Sequence, residues 1–186
     1  MWTRFLSAAL IVMPALVAAQ VELPAPRPEA PAEAAEMLIE HGVICSLIPE
    51  GREAAPDTES GLINLVPQDR TFDVLTDVVP AEMGLSFGVR IVLPEDAAPI
   101  DARVVVRHPV FHPSGVTVQR WDAWLDPDTP ALNLFSFELP HELVTGEWVF
   151  QFRAGGTIFA ERRFRVVPPD AAPGVLSVCD PAAPIA

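Results

Sequence analysis

The sequence predicts an all-β fold, a single antiparallel β-sandwich of about seven to nine short strands. Apolar residues recur at every second position through most of the chain, as they do in strands with one buried face. Turn signals built on Pro, Asp-Pro and Gly separate these stretches at intervals of about 8 to 12 residues. No segment beyond residue 37 has a helical period. Together these observations favour an immunoglobulin-like arrangement of strands.

Residues 1–19 have the pattern of a secretory signal peptide. Arg4 provides a positive charge ahead of an apolar run, residues 5–17, that is too short to span a bilayer comfortably. The small residues that follow fit a peptidase site, so we expect the mature chain to begin at Gln20. No cysteine lies there, which argues against a lipoprotein. The alternative is an uncleaved membrane anchor, which Pro14 and the small residues disfavour. We expect a periplasmic or secreted protein that is not embedded in the membrane.

The mature chain divides into three parts. Residues 20–36 contain four prolines and many alanines, too little apolar area to fold on their own, and are expected to form a flexible linker. Residues 37–167 are expected to form the β-sandwich. Residues 168–186 are expected to be a tail that a disulfide ties back to the domain.

Strands are predicted wherever the alternation is regular. The clearest runs from Leu85 to Leu93, and we expect one face of this strand in the core and the other in water. Residues 37–47 begin the domain, and residues 72–79 are a weaker candidate. The predicted core is aromatic and consists of Phe87, Trp121, Phe135, Trp148, Phe150, Phe152 and Phe164.

A β-hairpin is predicted over residues 143–167. Three large aromatic residues alternate with Val149, Gln151 and Arg153, and Gly155-Gly156 supplies the positive φ that a tight turn needs. Phe159 interrupts the alternation. A bulge there would change the direction of every side chain that follows it.

Two cysteines, Cys45 and Cys179, are predicted to form a disulfide, because an even number of cysteines usually pairs in an oxidising compartment. The link would remove about 4 to 5 kcal/mol of unfolded-state entropy. The apolar patch 175–178 would then lie as an edge strand beside Cys45. Two free, buried thiols are the alternative.

Four segments carry a resemblance to a known family. In chain order they read EHGV, GLSFGVRIVLP, ELVTGEWVFQF and AERRFRVV. The chain resembles the family called domain of unknown function 3859 over roughly residues 38–167. The resemblance implies the fold and an exported bacterial setting. It implies no activity and no functional residue.

The charge of the chain argues against nucleic acid as a partner. Without residues 1–19 the chain has 11 arginines, no lysine and 25 acidic residues, a net charge of −14. Phosphate contacts dominate nucleic-acid affinity and need a basic face.

Catalytic and metal-binding patterns are weak. His141-Glu142 resembles the start of a zinc-protease motif, but Thr145 stands where the second histidine belongs. His108 and His112 are four residues apart, yet the prolines after each prevent the helix that would align them. A pair of loop histidines that chelates a metal stays open, against exposed loop histidines without a ligand. We expect no catalytic residue, no metal and no cofactor.

Arginines are expected on the outward phase of several strands. They are Arg90, Arg103, Arg107 and Arg153, joined by Arg163 and Arg165 if the last strand keeps its phase. Guanidinium groups bind carboxylates and phosphates in a bidentate manner, so one hypothesis is an anionic envelope polymer as ligand. The alternative is a solubilising surface in which Glu138, Glu147 and Glu161 pair with these arginines.

Trp124 is the remaining binding candidate. If Trp121 points inward, Trp124 points outward and could contact a sugar or a protein. We expect instead that the loop HPVFHPSG, residues 108–115, covers it.

The function expected from these observations is a non-catalytic binding domain of the bacterial envelope, monomeric, with a protein or an anionic glycan as partner. A structural accessory domain of a larger envelope assembly is the alternative, and a hydrolytic enzyme is a distant third.

Overall fold

Ten strands and one short helix follow one another in residues 37–180, which are the residues that the computed structural model describes. The predicted signal peptide and linker, and residues 181–186, lie outside this range. The strands are β1 Leu38–Ile44, β2 Gly51–Ala54, β3 Leu62–Leu65, β4 Val78–Pro80, β5 Ser86–Val92, β6 Ile100–Arg107, β7 Val118–Leu125, β8 Ala131–Ser136, β9 Gly146–Ala154 and β10 Thr157–Val167. Helix α1 is Pro173–Cys179. Within the described residues no helix is long and apolar enough to cross a membrane.

The strands form two sheets and a separate hairpin. One sheet has three antiparallel strands in the order β1-β5-β8, and the other has five in the order β4-β10-β9-β6-β7, where only β4 pairs in parallel with its neighbour. Strands β2 and β3 pair only with each other. The predicted all-β sandwich is confirmed. The described strands exceed the expected number because the β2–β3 hairpin was not anticipated.

An aromatic core fills the space between the sheets. Phe87, on the central strand of the smaller sheet, has its ring centroid 5.4 Å from that of Trp148 and 5.2 Å from that of Phe164. Six of the seven residues expected in the core are buried, namely Phe87, Phe135, Trp148, Phe150, Phe152 and Phe164. Trp121 is only half-buried, because β7 is an edge strand, and its indole N–H donates to Asn133 Oδ1 at 3.2 Å.

The second face of β5 is not in water, contrary to expectation. Ser86 and Gly88 are both buried on this face. Residues 66–75 cross it without forming a strand, and their backbone bonds to Val43 of the neighbouring β1. Alternation with a period of two shows which side chains share a face. It does not show whether that face meets water or another segment.

The C-terminal tail contains a helix where an edge strand was expected. Pro173 occupies the first turn of α1, where its missing N–H costs nothing. Val175 is buried, and Leu176 and Cys179 pack against the core, which is the spacing of one helical face. The disulfide between Cys45 and Cys179 is present. It ties the end of α1 to the residue that follows β1.

Candidate functional site

Six arginines share the outward face of the five-stranded sheet, which we call the arginine face. They alternate along their strands with residues that point into the sandwich, such as Val104, Val106 and Phe164. The six are Arg103 and Arg107 on β6, Arg120 on β7, Arg153 on β9, and Arg163 and Arg165 on β10. Sequence reasoning passed over Arg120, although its position next to the inward Trp121 was a usable signal.

The strand register sets the order of these arginines across the sheet. Arg103 lies directly opposite Arg153 on the neighbouring strand. Arg107 and Arg163 lie on either side of Val149, so their strands are about 10 Å apart at the usual strand spacing. The face is therefore continuous from β10 to β7.

Strand β10 contains a bulge at Phe159, the residue that interrupts the alternation of the sequence. The register with β9 shifts between Ile158 and Ala160. After the shift Phe164 remains buried, while Arg163 and Arg165 are exposed. The extra residue thus absorbs the interruption at Phe159, and the later arginines stay on the outward face.

Two of the six arginines form ion pairs with carboxylates. Arg103 lies 2.6 Å from Asp122 and 3.5 Å from Asp57. Arg163 lies 2.9 Å from both Glu147 and Glu161. The pKa of the Glu161 carboxyl is lowered, first by a hydrogen bond from the Gln151 side chain and then by the hydrogen bond and positive charge of Arg163. This part of the face fits the alternative of a solubilising surface, although Glu138 pairs with Arg52 on the hairpin instead.

The other four arginines have no carboxylate partner among residues 37–180. Arg107, Arg120 and Arg165 are exposed and form no side-chain ion pair there. Arg153 is half-buried and donates from Nη2 to Gln151 Oε1 at 2.9 Å. The outward positions of these strands also hold Asp101, Asp122, Glu147 and Glu161, and Arg165 lies opposite Glu147 in the register. Six arginines against four acidic residues leave this face with a small excess of positive charge, in a chain with 25 acidic residues against 12 arginines.

Arg90 does not belong to this surface, and the prediction that it lies on an exposed face is wrong. It is on β5 in the other sheet, and only 11% of its side chain is exposed. Its Nη2 donates to the Gln68 carbonyl at 3.1 Å, and its Nη1 lies 3.6 Å from Glu40. Residues 66–75, which cover this face of the sheet, shield it from ligands.

Trp124 is 61% exposed, and the expectation that a loop covers it is wrong. In the register of β6 and β7, Trp124 lies opposite Asp101. The next outward pair along these strands is Arg103 and Asp122. The indole therefore borders the arginine face. The loop expected above it is held elsewhere, since Phe111 of that loop is buried in the core.

Of the two histidines considered as metal ligands, His108 is occupied by internal contacts within residues 37–180 and His112 is not. His108 is buried, not exposed as expected, and its ring stacks on Phe111 at 3.9 Å and on Trp148 at 4.7 Å. Burial lowers its pKa. His112 is exposed. Within the described part of the chain no three His, Cys, Asp or Glu residues group as metal ligands do.

The zinc-protease-like segment forms a short 3-10 turn, Pro140–Glu142, and not a helix. Glu142 Oε2 accepts backbone N–H groups from Glu138 and Leu139, each at 2.8 Å. Burial raises the pKa of Glu142. His141 Nε2 lies 3.0 Å from Glu59. These residues hold the turn in place and do not converge on a common point.

The chain is similar to a known family and to a solved structure. The sequence matches the family described as domain of unknown function (DUF3859) over residues 33–166. No curated protein matches the chain. Among solved structures, an immunoglobulin-like protein from Pseudomonas aeruginosa is similar, with 26% identity, a TM-score of 0.46, and coverage of 72% of this chain and 98% of that one.

Proposed function

Since this chain belongs to the family called domain of unknown function 3859, which names no activity, we propose a function from its surface: it is a non-catalytic binding domain of the bacterial cell envelope that binds an anionic glycan on the arginine face. The observation that carries the proposal is the group of four arginines without a carboxylate partner. Guanidinium groups bind phosphate and carboxylate oxygens in a bidentate manner and remain charged at every physiological pH.

Trp124 adds an apolar contact to this charged surface. It borders the arginine face at the β7 edge and is largely exposed. An aromatic side chain with one polar group suits the apolar face of a sugar ring. A glycan that carries acidic groups would therefore meet both kinds of contact on one surface.

An exported setting is supported by two features of the chain. Residues 1–19 have the pattern of a signal peptide, and disulfides such as Cys45–Cys179 persist mainly in oxidising compartments. The mature protein would then work in the periplasm or outside the cell. Its net negative charge would keep it from most other anions, so binding would depend on the local patch.

The test is binding to vesicles that contain lipopolysaccharide, with phosphatidylcholine vesicles as the neutral control. The wild type should cosediment with the first and not with the second, and added salt should weaken binding. Arg107→Gln and Arg165→Gln should each raise the dissociation constant by about three- to tenfold.

The matched control is Arg52→Gln. This variant removes the same charge from the β2–β3 hairpin, outside the arginine face. It should leave the dissociation constant within about twofold of wild type. If all three variants weaken binding equally, the effect depends on net charge and the proposed surface is wrong. If the wild type does not bind the anionic vesicles, the glycan proposal is wrong.

A further inference from the structure

Strand β8 forms an open edge of the three-stranded sheet, because it pairs with β5 on one side only. Phe137, which follows β8, forms backbone hydrogen bonds with Leu85 and Gly84, which precede β5. These bonds point toward β5. Since backbone groups alternate in direction along a strand, those of Leu134 and Ser136 point away from β5.

Most of this edge has no hydrogen-bond partner within residues 37–180. Leu132 N–H donates to the side chain of Gln68 at 2.7 Å. The backbone N–H and C=O groups of Leu134 and Ser136 form no such bond, and both residues are partly exposed. Unpaired groups in this arrangement are the template onto which an extended chain adds as a new strand.

A cleft of about 380 Å³ runs along this edge. Its floor contains all of β8, and its walls are β7, with Trp121, and the β2–β3 hairpin. Several contacts hold the hairpin over the cleft, among them a hydrogen bond from Asn64 Nδ2 to Glu138 at 3.1 Å and one from the Glu59 N–H to Gln119 at 3.0 Å. The space beside the open edge is therefore walled by the fold itself.

The charged side chains that line the cleft are all acidic: Glu53, Asp122, Glu138 and Glu142. Asp122 lies 2.6 Å from Arg103 and Glu138 lies 3.7 Å from Arg52, while the buried Glu142 accepts two backbone N–H groups, so Glu53 is the lining carboxylate that is free to meet a ligand. Glu53 has no ion pair in the part of the chain that the structure describes, and it is exposed. A cationic segment is the complement of such a lining.

We propose that this cleft binds an extended, basic peptide segment of a partner protein as an added strand on β8. Alternate side chains of the segment would face the apolar wall at Trp121 and the acidic rim, as the period of a strand requires. The open edge of β8 lies on the other sheet from the arginine face, although Trp124 and Asp122 of β7 line the cleft as well as bordering that face. The ligand has the opposite charge, so the proposal does not depend on the proposed glycan function.

The test uses three capped nine-residue peptides in which Arg alternates with Val, Leu or Phe. Fluorescence anisotropy of the labelled peptides should show saturable binding to the full chain by at least one of them below about 1 mM. The same peptide with Glu for Arg should bind at least about tenfold more weakly. A version methylated on alternate backbone nitrogens should also lose at least about tenfold, because it cannot donate to the edge.

Variants of the protein locate the binding on β8. Leu134→Pro removes the outward N–H without removing a bond to β5, and it should weaken binding at least about tenfold, whereas Leu134→Thr keeps the N–H and should stay within about threefold. Glu53→Arg, which alters only an exposed side chain, should weaken binding at least about threefold and serves if the proline variant fails to fold.

Amide hydrogen exchange gives a readout within one strand. Bound peptide should slow exchange at Leu134 and Ser136 and leave Leu132, which already donates to Gln68, unchanged. Absence of binding by all three peptides, equal binding of the Glu peptide, or equal binding of the methylated peptide would overturn the proposal. So would slowed exchange confined to residues outside β8.

Discussion

Replacement of both cysteines by serine is expected to lower the free energy of unfolding by about 5 kcal/mol. Cys45 and Cys179 are 134 residues apart in sequence, so the disulfide closes nearly the whole domain into one loop. The chain-entropy relation gives about 5 kcal/mol at 25 °C for a loop of this length. Single domains have total stabilities of about 5 to 15 kcal/mol. The double variant Cys45→Ser/Cys179→Ser should therefore be marginal or unfolded.

The loss should be concentrated at the C-terminal end of the chain in any molecules that remain folded. Helix α1 has seven residues and is too short to be stable in isolation. Val175 is its buried residue, and the disulfide is its covalent link to the end of β1. Without that link, amide exchange in α1 should accelerate more than exchange in β5 or β9.

Urea denaturation of three samples tests this reasoning. They are the oxidised wild type, the wild type with reductant, and the double variant. The last two should have the same midpoint, lower than the first, and reductant should not affect the variant. A loss below about 1 kcal/mol would refute the entropic estimate. A reduced wild type much more stable than the variant would assign the loss to the serine hydroxyls and not to the missing link.

Three further predictions concern single residues. His108 is buried with its pKa below the usual 6.5, so protonation favours the unfolded chain. The free energy of unfolding of the wild type should fall relative to His108→Gln as pH drops from 7.5 through 6.5, and an unchanged difference down to pH 5 would contradict this. Gly88→Ala should cost at least about 2 kcal/mol in urea denaturation, because a Cβ would collide with the backbone of β8, whereas Gly174→Ala in α1 meets open space and should stabilise by about 0.5 to 1 kcal/mol. Acrylamide should quench Trp124 and not the buried Trp148, so Trp124→Phe should remove most of the quenchable fluorescence.

The parts of the fold that the sequence predicts well are those governed by local pattern. The β9–β10 hairpin follows from alternating aromatic residues and Gly155-Gly156, which both have positive φ. The outward phase of the arginines within β6, β9 and β10 follows from the alternation along each strand. That they share one sheet face does not follow from alternation, because it depends on the pairing of β6 with β9, which are distant in sequence.

The errors come from contacts between segments distant in sequence. Arg90 has the alternation of an exposed residue, and only the path of residues 66–75 shows that it is covered. The short apolar patch at 175–178 fits a strand or a helix equally well, and packing against the core decides for the helix. The cleft depends on where the β2–β3 hairpin docks, which no periodicity encodes.

Strand β7 contributes side chains to both proposed sites. Its outward Arg120 belongs to the arginine face, and its inward Trp121 forms a wall of the acidic cleft, while Trp124 borders the arginine face and also lines the cleft. Salt should weaken binding at both sites, so ionic strength cannot tell them apart. A change in the charge of a single side chain distinguishes the two sites. Glu53→Arg should weaken binding of the basic peptide and leave retention on anionic vesicles unchanged or slightly stronger, and Arg165→Gln should do the reverse. If one variant changes both affinities in the same direction, a single surface is responsible and one of the two assignments is wrong.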